Sequence, residues 1–220
     1  MVVNWRDFKG NFEEKVSIEK SADGYGIIKN KNFGIYILGY LSQSEKPIFP
    51  EMTLIPSGKV KNVEVSKFYA GKTEVTNKEY CKFDINHDNH GNDVPVVNVS
   101  WYDAVRYCNW LTMSSPDLTS DDCCYAGVPP NITGDTTKKG YHLPTEAEYI
   151  HLLEVKRNKP DLDLQELNER IYKMGNDERV YNIGTSVTEG GRIYISRDSF
   201  KIYHAFETEK DVGFWIVKKA

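Results

Sequence analysis

Chemistry in this 220-residue chain begins with four cysteines, Cys81, Cys108, Cys123 and Cys124, and five histidines, His87, His90, His142, His151 and His204. No cysteine pair has the CxxC spacing of a zinc site, and adjacent residues such as Cys123 and Cys124 rarely bridge each other. The favoured reading is thiols in a reducing compartment, with Cys81 and Cys108 on apolar helix faces. The alternative is a disulfide from Cys108 to Cys123 or Cys124. In "NHDNHGND", His87 and His90 stand three apart beside Asp88 and Asp93, a tolerable ligand spacing. The same residues describe a polar turn with solvated histidines, which is the favoured reading. No Ser-His-Asp grouping, glycine-rich phosphate loop or paired-carboxylate motif stands out. The residues thus offer no catalytic set, metal or cofactor.

A different chemistry is written in "GGRIYISRDSFKIYHAF", residues 190–206. Ile193 and Ile195 share one face of a strand, Tyr194 and Ser196 the other. By Phe200, Ile202 and Ala205 the alternation has changed phase, which calls for a turn or bulge around Arg197–Ser199. The outward set is Tyr194, Ser196, Arg197, Asp198, Lys201 and Tyr203, with Arg192 and His204 beside it. Tyrosine supplies rigid contact area, arginine a forked cation, and the small polar residues adaptable hydrogen bonds, as on a binding surface. A solvated outer face of an antiparallel pair would read the same way.

The scaffold must be soluble and folded. The apolar share is 40% and the charged share 27%, ordinary for one globular domain, with or without an appendage. A net charge of −4 disfavours nucleic acid as a partner. No stretch reads as a membrane span, and "MVVNWRDFKGNF" carries charge where a secretory segment should be apolar, so general export is not expected. The expected location is the cytoplasm, or a phage or surface assembly that carries the protein.

Three helix starts repeat one device. Thr76 with Glu79, Ser100 with Asp103, and Thr145 with Glu148 each place a hydroxyl three residues before a carboxylate, the capping-box spacing. In the second helix Trp101, Ala104, Val105, Cys108 and Leu111 form one apolar stripe. Short strand-like pieces surround the helices: "MTLIPSG", "VEVSKFYAGK", "GRIYIS", "SFKIYHAF" and "VGFWIVKK". Ser114 to Lys139 reads as a polar loop or insertion, and "DLDLQELNERIYKM" as a fourth, short helix. "YGIIKNKNFGIYILGYL" suggests a hairpin turning near Asn30–Asn32. Polar residues from Ser42 to Lys46, then Pro47 and Pro50, divide an arm, residues 1–49, from an α+β domain, residues 50–220.

The stretches "MTLIPSG", "VSKFYAGKTEVTNKEYCKF", "PVVNVSWYDAVRYCNWL", "YHLPTEAEY", "IYKMGN", "GG" and "VGFW", in that order, resemble the formylglycine-generating-enzyme (sulfatase-modifying-factor) family, a variant of the C-type lectin fold. The resemblance runs from Met52 to the end and leaves residues 1–49 aside. It implies an α+β fold with few helices around short antiparallel sheets. In the family's enzymes, two cysteines on the strand after a Gly-Gly-Ser-Trp-like motif hold copper and oxidise a substrate cysteine. Here those positions fall on Ile195 and Phe200, and the serine and tryptophan are Arg192 and Ile193. Copper(I) demands soft thiolates, which neither position offers.

Within the family, the chain resembles the non-catalytic variable proteins of diversity-generating retroelements, which display the segment between the Gly-Gly motif and the final Gly-Phe. That resemblance implies a ligand-binding module that presents Arg192, Tyr194, Ser196, Arg197, Asp198, Lys201, Tyr203 and His204 to a protein or cell-surface ligand. The alternatives are an enzyme with altered, non-copper chemistry, and a structural component of a phage or surface assembly that self-associates through residues 1–49. Trp215 departs from the pattern, where an arginine is commoner.

Overall fold

The computed structural model describes residues 47–87, 91–127, 132–165, 207, 208, 210 and 212–220 with their side chains; further strands are described by their backbone pairing. All three expected capping boxes are present. They start α1 (Asn77–Tyr80), α2 (Trp101–Ser114) and α3 (Glu146–Asn158). In the third, Thr145 N–H donates to Glu148 Oε2 at 2.9 Å, while Glu148 N–H donates to Thr145 Oγ1 at 3.2 Å. Two orphan donors are satisfied reciprocally, and such a cap contributes about 1 kcal/mol.

An N-terminal antiparallel meander joins β1 (Val2–Arg6), β2 (Phe12–Lys20), β3 (Gly26–Lys29) and β4 (Tyr36–Gly39) in sequence order. The expected hairpin is its second half, with Gly26 opposite Gly39 and Lys29 opposite Tyr36; the turn near Asn30–Asn32 lies outside the described residues. Next come β5 (Met52–Ile55), β6 (Gly58–Val60), β7 (Val63–Val65) and β8 (Phe68–Gly71). The segment "VEVSKFYAGK", read as one strand, is therefore two. β7 pairs with β6 in a hairpin, whereas β8 enters another sheet.

Two further expectations are corrected. The stretch from Ser114 to Lys139 is not simply a polar loop. It holds a 3₁₀ turn (Ser120–Asp122) and a hairpin of β9 (Tyr125–Val128) and β10 (Asn131–Gly134). Cys123, Cys124, Tyr125 and Ile132 are buried. The hairpin is fastened from α2: Asn109 Nδ2 donates to the Tyr125 carbonyl at 2.8 Å, and Tyr125 N–H donates to Asn109 Oδ1 at 3.3 Å. A polar side chain on the helix thus substitutes for a neighbouring strand. Nor does "DLDLQELNERIYKM" form the expected helix over its described parts. Residues 161–165 are irregular, with Leu164 buried, and β12 (Tyr172–Met174) is a strand. Pairing of β12 with its neighbouring strands overrides a weak helical pattern there.

The remaining strands are β11 (Tyr141–His142), β13 (Asn182–Ile183), β14 (Ser186–Val187), β15 (Gly191–Ile195), β16 (Phe200–His204), β17 (Val212–Gly213) and β18 (Val217–Lys219). The central sheet has the order β11-β18-β8-β5. One apolar cluster contains α2, Tyr141, Phe214 and Ile216. A second contains Tyr149, Leu152 and Val155 of α3 with Ile55, Phe68, Ala70, Trp215 and Val217. The run Phe214-Trp215-Ile216-Val217 therefore feeds alternate side chains to the two clusters, and all four are 0% exposed.

Helix α2 is buried around most of its circumference. Beyond the expected stripe of Trp101, Ala104, Val105, Cys108 and Leu111, Tyr107, Asn109 and Thr112 are also buried. The polar pair is tolerated because it is bonded: Thr112 Oγ1 donates to the Cys108 carbonyl at 2.9 Å and accepts from Tyr141 N–H at 3.0 Å.

Local backbone conformation explains two loops. Asn98, at the entry to α2, has φ 56°, a left-handed conformation that asparagine tolerates. Lys61, in the two-residue link between β6 and β7, has φ 53° without that excuse. Replacing Lys61 by glycine removes the Cβ penalty and is expected to stabilise the fold by up to about 1 kcal/mol, read as a rise in Tm. Elsewhere, His151 on α3 lies hydrogen-bonded through Nε2 to the Pro56 carbonyl at 2.8 Å, and a Cβ at Gly58 would collide with its ring. Gly58→Ala should therefore destabilise by roughly 1–3 kcal/mol. In a His151→Ala background most of that loss should vanish, a non-additivity that a double-mutant cycle in urea measures.

Candidate functional site

Strands β15 and β16 pair antiparallel, with Gly191 opposite His204, Arg192 opposite Tyr203, Ile193 opposite Ile202, Tyr194 opposite Lys201 and Ile195 opposite Phe200. Cross-strand partners share a face, so this register gathers the positions of Arg192, Tyr194, Lys201 and Tyr203 on one side. Ile193, Ile195, Phe200, Ile202 and His204 occupy positions on the other. The pairing also accounts for the phase change in the sequence, because Ile195 and Phe200 stand opposite each other. Ser196, Arg197 and Asp198 lie outside the described residues. His204, which the sequence grouped with the outward residues, pairs with Gly191 and falls by register with Ile202 and Phe200.

The ribbon is tied to the core through two more strands, in the order β16-β15-β12-β17. Met174 of β12 pairs with Tyr194 and Lys173 with Ile195; on its other edge, β12 runs parallel to β17, with Tyr172 opposite Val212 and Lys173 opposite Gly213. Val212 and Gly213 are buried, and the chain continues directly into the 214–217 run between the two clusters. The candidate strands thus hang from a fully buried run. Trp215, unusual for the pattern, is accommodated there with its ring 6.4 Å from that of Tyr149.

Copper is tested by the register itself. The two positions that the family resemblance assigns to metal-binding cysteines, 195 and 200, are direct cross-strand neighbours. The geometry would bring two thiolates together, but isoleucine and phenylalanine have no donor atom, so these residues do not fit the metal. Among the described residues, no group of three or more His, Cys, Asp or Glu could hold a metal ion. His87 lies against Tyr80, with ring centroids 4.9 Å apart, while His90 and Asp88 lie outside the described residues.

All four cysteines are free thiols, as the favoured reading expected; the alternative disulfide does not form. Cys108 is buried in α2, but Cys81 caps the end of α1 and is only half-buried. Burial pushes the thiols of Cys81, Cys108 and Cys123 up, the last to about 11, so they are poor nucleophiles at neutral pH.

Sequence reasoning missed two charged fastenings. Lys72, after β8, bridges Glu51 and Asp163, each at 2.8 Å; hydrogen bonds to Asp163 and then Glu51 hold its ammonium above the ordinary lysine range. The other is a chain through His142, whose ring is 1% exposed. Its Nε2 lies 3.4 Å from Glu148 Oε1, and its Nδ1 lies 3.4 Å from the Gly140 carbonyl and 3.9 Å from Cys124 Sγ. The capping-box carboxylate was the available signal: a histidine six residues before Glu148, across a Leu-Pro-Thr turn, is within reach of it.

A family model and one solved structure agree with this architecture. The family model described as "Sulfatase-modifying factor enzyme 1-like domain" matches residues 39–152, more than half of the chain; the match ends before the β15–β16 ribbon. A protein of Paenibacillus barcinonensis described as "Chaperone protein LppX" is 34% identical over 107 residues, 40% of this chain. The match spans only 36% of that relative's length. The crystal structure of CarF superposes with a TM-score of 0.59 at 17% identity, over 78% of this chain and 98% of that one. Treponema denticola variable protein 1 gives 0.49 at 19% identity, over 80% and 94%. With three helices among the described residues around short antiparallel sheets in a C-type lectin-like α+β fold, the chain belongs to the sulfatase-modifying factor enzyme 1-like domain family.

Proposed function

We propose that the protein is a non-catalytic binding module that presents its β15–β16 ribbon to a protein or cell-surface ligand. The observation that carries this reading is the ribbon's register. It collects Arg192, Tyr194, Lys201 and Tyr203 on one side and sets Ile195 opposite Phe200 where a copper oxidase needs two sulfurs. Two tyrosines supply the buried contact area, and Arg192 and Lys201 set charge complementarity at the rim. Ser196, Arg197 and Asp198, which connect the two strands in sequence, are assigned to the same surface by their residue types; His204, which pairs with Gly191, falls by register on the opposite side and is left out of it. A relative described as a chaperone accords with a task of holding another molecule.

The scaffold suits that task because the ribbon is anchored through β12 and β17 to a run that is fully enclosed. Side chains on such a support change without cost to the core, so ligand choice and stability are separable. Tyr194→Ala combined with Tyr203→Ala is expected to weaken capture of the ligand at least about 30-fold, while Tm stays near wild type. Retained binding rejects this surface.

The competing oxidase reading is addressed by copper(I) titration against a chromogenic chelator. The wild-type chain is expected to take up no stoichiometric copper, whereas Ile195→Cys with Phe200→Cys should gain about one copper(I) per chain, because cross-strand positions lie roughly 5 Å apart. One tightly held copper per wild-type chain, with oxidation of a thiol peptide, overturns the binding-module reading.

A further inference from the structure

We infer that His142 is a charged latch that fastens the first turn of α3 to β11, and that it opens when the imidazole loses its proton. Both ring nitrogens face an oxygen acceptor, an arrangement that an imidazolium, with two N–H groups, satisfies. Nε2 faces Glu148 at 3.4 Å, and Nδ1 faces the Gly140 carbonyl at 3.4 Å. Glu148 is already the acceptor of the capping box, taking Thr145 N–H at 2.9 Å and Thr145 Oγ1 at 3.0 Å. One carboxylate thus starts the helix and holds the histidine. His142 is 1% exposed, so nothing in solvent replaces its partners.

The titratable groups around the latch are few. From α3 comes Glu148; from the residue before β9 comes Cys124, whose Sγ lies 3.9 Å from Nδ1 and donates to the Gly140 carbonyl at 3.4 Å. From β9, the Tyr125 hydroxyl accepts from Leu143 N–H at 2.9 Å, next in sequence to His142. From α2, the Cys108 thiol couples electrostatically to Cys124 and Tyr125. Burial holds both Cys108 and Tyr125 well above their ordinary values, so neither carries charge near neutrality. Cys124 and Glu148 are the groups that His142 answers, one at each ring nitrogen.

Burial by itself would lower the His142 pKa, but hydrogen bonds to Cys124 and Glu148 and the Glu148 charge raise it to about 9. Burial likewise opposes ionisation of Glu148, yet His142 and Thr145 bring it below its ordinary value. The sign follows. A histidine raised above its unfolded value of about 6.5 contributes its full stability below that pH, and loses it as pH climbs through about 9. A lowered carboxylate contributes above its unfolded value and loses its contribution as pH falls through the folded one. The latch is closed between these limits and opens on the alkaline side through His142.

Tm of the full chain from about pH 6 to pH 10, for wild type and His142→Gln, tests this. Wild type should be several degrees more stable at pH 6, with the gap closing as pH passes 9; titrations of groups that do not touch His142 cancel in the difference. Parallel curves overturn the latch, because a purely steric role for the ring has no pH dependence. If the variant does not fold, NMR titration of the wild-type His142 ring proton decides. A midpoint well above the ordinary 6.5 supports the latch, and one at or below it overturns it.

Discussion

The run from Val212 to Val217 must be apolar on both sides, and the rest of the molecule is organised around that demand. Its side chains alternate between the cluster under α2 and the cluster under α3, so neither helix can be displaced without exposing one half of the run. Burial of each such side chain is worth roughly 1.5–3 kcal/mol. A segment enclosed on both faces is a natural anchor. Through β17 it carries β12, and through β12 the β15–β16 ribbon. A fully enclosed run thus supports the ribbon that carries the candidate site.

Polar groups in this interior serve as connectors. Asn109 pairs with the backbone of Tyr125, Thr112 with that of Tyr141, and His151 with the Pro56 carbonyl. Each joins a helix to a segment that lacks a strand partner on that side. An unpaired buried polar group costs about 1–3 kcal/mol, so these side chains contribute specificity: alternative packings would leave them unsatisfied. His142 goes further, since its bonds require charge as well as position.

The helix starts were legible in the amino acids because a capping box is local: hydroxyl and carboxylate lie within four residues and need no distant partner. The stripe of α2 was legible as well, but it understated burial, since Asn109 and Thr112 look solvent-facing until their strand partners are known. The hairpin of β9 and β10 was hidden inside a polar stretch, for the same reason. The charged stretch that ends in Tyr172–Met174 suggests a short helix, because strand formation there depends on β15 and β17, far along the chain.

At the candidate site, the apolar residues at positions 195 and 200, which the family resemblance assigns to cysteines, and the tyrosines of the ribbon are matters of residue identity that the sequence carries by itself. Capping, the α+β class and the two-sided apolar character of the last strands belong there too, because short-range spacing carries them. Tertiary structure alone decided that Ile195 faces Phe200, that Arg192 lies beside Tyr203, and that His142 meets Glu148 in a closed interior. Register, burial and charge pairing are relations between segments, and long-range contacts leave no periodic trace along the chain.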